Sequence, residues 1–153
     1  MAGVTDAPFR RQVRRFGAGL VASEMVASQE FVQARAETAL KAEITPSDGL
    51  AAVQLAGKDV HWIAEAARMA EAAGAPIIDI NMGCPAKKVT SGYSGSALMR
   101  DPNFALALIE AVVGAVSVPV TLKTRLGWDE RQLNAPEIAR RAEEAGVRLI
   151  TIH

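Results

Sequence analysis

Cysteine occurs once in the chain, at Cys84. No internal disulfide framework can therefore form, and no zinc or iron–sulfur centre can be built from several thiolates. Neither sign of charge prevails, since 17 basic residues meet 17 acidic ones. A domain that grips RNA unaided usually carries a basic excess, so any RNA contact has to come from a local patch or from another part of a protein. Long apolar runs are missing as well. Stretches such as Ala111-Val-Val-Gly-Ala-Val116 fall far short of the ~20 residues of a membrane span. The first residues lack a basic segment followed by an apolar one, so no secretory signal is read and the cytoplasm is the expected compartment. Low-complexity tracts and blocks of like charge are absent, which argues against disorder.

What is present is 153 residues, half of them apolar, enough for one domain with a core of its own. Short β-branched runs alternate with Ala- and Glu-rich stretches of helical period. A helix is expected from Asp6, an N-cap with Pro8 in the first turn, to Phe16 ahead of Gly17. Strands are expected at Leu20–Ser23, Ala51–Leu55, Ile77–Asn81, Val118–Thr124 and Arg148–His153. Helices are expected at Val60–Ala73, from Asp101-Pro102 to Val116, and at Ala135–Ala145. Such alternation predicts a parallel α/β sheet, either doubly wound or a barrel.

Two features favour the barrel. No Gly-x-Gly-x-x-Gly turn follows any of these strands, so the common dinucleotide fingerprint is lacking. The strands also share a pattern of period two. Ala52 and Gln54 alternate with Val53 and Leu55; Asp79 and Asn81 with Ile78 and Ile80; Thr121, Lys123 and Arg125 with Val120 and Leu122; Thr151 and His153 with Ile150 and Ile152. Each strand thus has an apolar face for covering helices and a face that turns polar toward its C-terminal end. In a barrel those polar faces converge on one mouth, where barrel enzymes keep their active sites. The fold expected is an α/β (β/α)8 TIM barrel. Its complete form takes ~250 residues, and this chain supplies about the first five to six units, counting a sixth strand in the first few residues. It starts inside a motif and ends on a strand, so it reads as part of a longer protein, 1–153 being a partial catalytic domain without the remaining strands. Alone it is expected to be inactive or nearly so, with an open sheet edge that invites self-association.

The densest chemical signal is Asp79-Ile-Asn-Met-Gly-Cys-Pro-Ala-Lys-Lys-Val89. Gly83 permits a sharp turn after the strand, Pro85 stiffens the exit from that turn, and Cys84 is presented over the mouth. A free thiol has an unperturbed pKa of ~8.5 and can donate a proton at neutral pH. The competing reading is a small buried hydrophobe, but a Gly-Cys-Pro turn at a strand end is a poor place for a core residue.

The segment Asn81–Val89 resembles the signature of the bacterial tRNA-dihydrouridine synthases, closest to their B-type branch. Met1-Ala-Gly-Val-Thr-Asp6, Ser23-Glu-Met25, Val53-Gln-Leu-Ala-Gly57, Gly95-Ser-Ala-Leu98, Val120-Thr-Leu-Lys-Thr-Arg-Leu-Gly-Trp128 and Thr151-Ile-His153 fall in the same family order. The resemblance implies reduction of the uracil C5=C6 bond in tRNA, with FMN as hydride donor, NADPH as reductant and Cys84 as the acid that protonates C5. It implies flavin contacts from Met1, Ala2, Gln54, Lys123 and His153, and uracil contacts from Asn81 and Arg125. Lys123 alternatively reads as an interior lysine paired with Asp79, Asn81 as a turn former, and Arg125 as a solvated arginine. Lys87 and Lys88 suit RNA phosphates or stand as a solvated pair. The resemblance also implies that the FMN phosphate site lies beyond His153 and that a C-terminal helical tRNA-binding domain is absent from these residues. No metal site is expected. Rival readings are another FMN barrel acting on a small molecule, dihydroorotate-dehydrogenase-like, a non-catalytic half-barrel scaffold, and a nucleophilic rather than acidic Cys84.

Overall fold

Carboxylates at three helix starts fix where α-helices begin. The computed structural model describes residues 3–153. Asp6 accepts from the Phe9 N–H (2.9 Å) and opens α1, Ala7–Arg15. The same cap recurs at Asp59 and Asp101, each satisfying two of the first free N–H groups of a helix. Between α1 and the second of these caps lie β1 (Val21–Ala27), α2 (Ser28–Val32), α3 (Ala36–Ala42), a 3₁₀ turn (Pro46–Asp48) and β2 (Ala51–Ala56). Then come α4 (Val60–Ala72), β3 (Ile77–Met82), α5 (Lys87–Thr90), a 3₁₀ segment (Gly95–Arg100), α6 (Pro102–Ala115), β4 (Val120–Thr124), α7 (Ala135–Ala145) and β5 (Leu149–Ile152).

All five strands are parallel and lie in the order in which the chain makes them. A doubly wound sheet reverses its strand order at a switch point; this one winds in a single direction, as successive units of a barrel do. The helices α4, α6 and α7 sit on one side. Val53 and Leu55 of β2, Ile78, Ile80 and Met82 of β3, and Val120 and Leu122 of β4 form one buried cluster. It also takes in Ile63 and Ala67 of α4, Leu108 and Ile109 of α6, and Ile138 and Ala142 of α7. Gln54, Asp79, Asn81 and Thr121, the alternate residues on the same strands, are buried outside that cluster on the opposite face. Burial of both faces explains why β2 and β3 are inaccessible along their whole length.

Several boundaries differ from expectation. β1 runs on to Ala27 rather than stopping at Ser23, because the pairing with β2 slips between Ala22 and Met25 and then resumes. Ser23 bridges the gap: its hydroxyl accepts the Gln54 N–H (3.0 Å) and donates to the Glu24 carbonyl (2.7 Å). The polar pair Ser23-Glu24 is therefore a bulge and not a strand end. The expected sixth strand falls partly on Met1 and Ala2, outside the described residues, and Gly3-Val4 forms a turn. β4 begins two residues late, since Pro119 has no N–H to give the ladder.

A buried ion pair fastens α1 to the loop before β2. Arg10 Nε lies 3.0 Å from Asp48 Oδ1, and the other guanidinium nitrogens donate to the Thr5 and Glu43 carbonyls. Burial opposes ionisation of Asp48. Hydrogen bonds from Arg10 and Thr45 outweigh it and hold the carboxyl below its ordinary range.

Candidate active site

Strand register arranges the polar side chains in rungs. Gln54 of β2 pairs with Asp79 of β3, and Asp79 with Thr121 of β4. Two residues further toward the C-terminal ends, Asn81 pairs with Lys123 and Lys123 with Thr151 of β5. Side chains two apart on a strand point the same way, so these rungs stack toward one mouth. Gly83, Cys84 and Arg125 come next, at its rim.

The lower rung is hydrogen-bonded from strand to strand. Thr121 Oγ1 donates to Asp79 Oδ1 (2.6 Å), and Gln54 Nε2 donates to Asp79 Oδ2 (2.6 Å). Asn81 Nδ2 donates to Gln54 Oε1 (3.0 Å), which joins this rung to the next. Asn81 Oδ1 then accepts the N–H groups of Gly83 (3.3 Å) and Cys84 (3.1 Å), holding the turn after β3. Burial pushes the Asp79 carboxyl above the usual aspartate range, against the hydrogen bonds from Thr121 and Gln54 and the charge of Lys123.

Cys84 stands half-exposed on this turn. Its N–H is held by Asn81, and its carbonyl accepts the Ser96 N–H (3.0 Å). Gly95 makes the approach possible. It adopts φ +63, and a Cβ there would lie 2.5 Å from the Cys84 carbonyl oxygen and 3.3 Å from the Cys84 Cβ. Arg125 donates from Nε to the Gly83 carbonyl (2.7 Å) and so sits beside the thiol's loop, half-buried rather than free in solvent. Lys123 is half-buried and forms no hydrogen bond or ion pair among the described residues, although its charge acts on Asp79. Asp79 spends its oxygens on Thr121 and Gln54, so the interior Lys–Asp pair does not form.

The rim continues into the loop after β4. Gln132 Nε2 donates to the Met99 and Arg100 carbonyls, and Asn134 Nδ2 donates to the Met99 carbonyl (2.7 Å). The Arg100 guanidinium lies 4.8 Å from the Trp128 ring centre and 5.6 Å from that of Tyr93.

The structure thus brings together Gln54, Asn81, Cys84, Lys123 and Arg125. His153 is joined only through its backbone, its N–H donating to the Thr124 carbonyl (3.2 Å), and its side chain is exposed. Met1 and Ala2 lie outside the described residues. Lys87 and Lys88 are exposed on α5, beside the cysteine turn. Sequence reasoning left Thr121 and Ser23 without a role and gave Asp79 only a pairing that does not occur. The signal for Asp79 and Thr121 was their shared polar phase on neighbouring strands. Nothing marked Ser23 as a ladder bridge.

The donor set suits a flavin. A half-buried ammonium at Lys123 with no partner among the described residues, and an amide at Gln54 with one N–H and one lone pair unspent on those residues, lie on the polar face of neighbouring strands, which matches a ring edge of alternating carbonyl and N–H groups. Among the described residues, no helix is long and apolar enough to cross a membrane.

Comparison with known proteins bears on the family and the fold. A "Probable tRNA-dihydrouridine synthase" of Rhizobium leguminosarum bv. phaseoli is 64% identical over all of this chain and 48% of its own length. One from Rhodobacter capsulatus is 65% identical, again over all of this chain and 48% of its own. "tRNA-dihydrouridine synthase B" of Pseudomonas aeruginosa is 48% identical over the whole chain and 46% of its own. The chain therefore spans about half the length of the curated relatives it matches. Among solved structures, the carboxyl transferase domain Y628A of Rhizobium etli pyruvate carboxylase superposes with a TM-score of 0.61 at 19% identity, covering 94% of this chain and 23% of that one. That likeness concerns the fold alone. The family model described as "Dihydrouridine synthase (Dus)" matches residues 1–153, and the chain belongs to that family.

Proposed function

We propose that this chain forms the substrate-facing part of a tRNA-dihydrouridine synthase that reduces the C5=C6 bond of uridine in tRNA. The observation that carries this reading is a half-exposed cysteine on a turn fixed from both sides, with a half-buried arginine against that turn just past the end of β4 and, on β4 itself, a half-buried lysine that has no hydrogen bond or ion pair among the described residues. FMN, reduced by NADPH, supplies a hydride to C6 when bound. Lys123 and Gln54 hold and polarise its ring edge. The excess negative charge at C5 and O4 of the pyrimidine then takes a proton from Cys84 Sγ: a C–H bond forms, the S–H bond breaks, and the thiolate is reprotonated from solvent. The η nitrogens of Arg125 and the second side-chain N–H of Asn81, which meet no acceptor among the described residues, are donors suited to the pyrimidine carbonyls. A base stacked in a helix cannot reach such a mouth, so the target uridine enters flipped out, and Lys87 and Lys88, exposed beside the cysteine turn, are cations suited to its flanking phosphates. The full activity belongs with the whole protein, of which this chain matches about half.

The test is Cys84→Ala in a full-length protein containing this segment, assayed on unmodified tRNA. Dihydrouridine formation is expected to fall by at least about 100-fold, the low end of what a placed general acid contributes, while flavin reduction by NADPH continues. Undiminished turnover in that variant would refute the acid role. Faster reduction of free orotate or uracil than of tRNA would point instead to a small-molecule flavin enzyme.

A further inference from the structure

The hydrogen bonds of the polar rungs have a direction, and one residue sets it. We propose that Asp79 is a positioning residue that orders the side-chain amides of Gln54 and Asn81 and, through them, holds the backbone of Cys84. The proposal rests on the proposed synthase activity for its catalytic meaning, though not for its geometry.

Asp79 as a carboxylate only accepts. Facing it at 2.6 Å, Gln54 has to present its NH₂ end, which turns Oε1 toward Asn81. Asn81 must then offer its own NH₂ end, leaving Oδ1 toward Gly83 and Cys84. Those two backbone N–H groups meet no other acceptor among the described residues, and an unmet buried N–H is costly. Thr121 fills the remaining face of the carboxylate at 2.6 Å. One acceptor therefore decides the orientation of two amides on neighbouring strands, and the second amide ends on the thiol's own peptide N–H. Had residue 79 been an amide, the relay could run backwards. Gln54 and Asn81 would flip, and an NH₂ group would point at two N–H donors.

Burial raises the carboxyl of Asp79, so keeping it ionised opposes folding. A group retained only for stability is better replaced by its neutral isostere. A group retained for its directionality is not. The two roles therefore give different results in Asp79→Asn.

The experiment compares wild type with Asp79→Asn, Gln54→Met and Thr121→Val by NMR amide hydrogen exchange at pH 7.5. It is paired with the alkylation rate of Cys84 by iodoacetamide and with kcat and KM on tRNA in the flavin-loaded full-length enzyme. In Asp79→Asn the Gly83 and Cys84 amides are expected to exchange about ten-fold faster, while Ile80 and Leu122 keep their protection. Cys84 alkylation should rise, and kcat should fall about ten-fold with KM little changed. Gln54→Met removes the middle of the relay and should expose the same two amides. Thr121→Val, which leaves the relay intact, should alter their exchange less than about two-fold. Unchanged protection of Gly83 and Cys84 in a folded Asp79→Asn chain overturns the proposal. So does a variant in which Ile80 and Leu122 lose protection as well, because that is the signature of a structural role. Since exchange and alkylation need neither tRNA nor flavin, their failure is distinguishable from a failure of the functional reading, which the dihydrouridine assay reports.

Discussion

Replacing Gly95 by alanine tests how tightly the thiol loop is built. The added Cβ would stand 2.5 Å from the Cys84 carbonyl oxygen and 2.9 Å from Val89 Cγ1, at a backbone φ of +63. Left-handed backbone costs a residue with a Cβ about 1–2 kcal/mol. Overpacking typically adds about 1–3 kcal/mol, giving roughly 2–5 kcal/mol together. The carbonyl cannot swing aside freely, because it accepts the Ser96 N–H at 3.0 Å. In a domain of this size each kcal/mol lowers Tm by roughly 2–4 °C, so a fall of about 4–20 °C is expected in a thermal melt followed by circular dichroism. Cys84 alkylation should change in the same variant, since the strain falls on its own peptide. Gly114 is the control: it lies within α6, at ordinary φ, and an added Cβ meets nothing within 4 Å. Gly114→Ala should raise stability by about 0.5–1 kcal/mol. A Gly95→Ala chain that melts within about 1 °C of wild type, with unchanged alkylation, refutes the reasoning.

Buried polar groups supply further outcomes. Arg10→Met leaves the fully buried Asp48 carboxylate without its cation and should cost about 3–5 kcal/mol in denaturant unfolding. Acid titration of stability should separate Asp48 from Asp79. The carboxyl of Asp48 is lowered by folding, so the folded state binds fewer protons, and its contribution is lost as pH falls below the ordinary aspartate value near ~4. The carboxyl of Asp79 is raised, so its ionisation weakens folding as pH climbs above that value. Asp48→Asn should therefore flatten the acid limb of the stability curve and Asp79→Asn the limb above it. The Thr124 hydroxyl is buried with no partner among the described residues, so Thr124→Val should stabilise by about 1 kcal/mol, read as a shift in urea midpoint.

Much of the scaffold was legible because helix caps and strand periodicity are local signals. Asp6 and Asp101 announced their helices, and the alternation in Ile77–Asn81 and Val120–Arg125 separated the helix-covered face from the polar one. The Gly83-Cys84-Pro85 turn likewise declared the position of the thiol. What escaped depends on contacts distant in sequence. Arg10 meets Asp48 across 38 residues, and no pattern at either end marks the pair. Ser23-Glu24 read as a strand end because a bulge is defined by the partner strand. Asn81 was legible as polar and inward-facing. That its carbonyl is spent on the turn, and its NH₂ on Gln54, results from the orientation forced by Asp79. The short helices α2, α3 and α5 are too brief for helical period to show, and their packing supplies what propensity does not.

The side chains of Gln132 and Asn134 grip the Met99 and Arg100 carbonyls, and Arg125 grips Gly83, so the lips that come after β3 and β4 are laced to each other. Neither lip can lift alone. Anyone exchanging the cysteine loop between relatives has to transplant segments 83–100 and 125–134 as a matched pair, since a foreign partner would leave carbonyls unlaced at the rim.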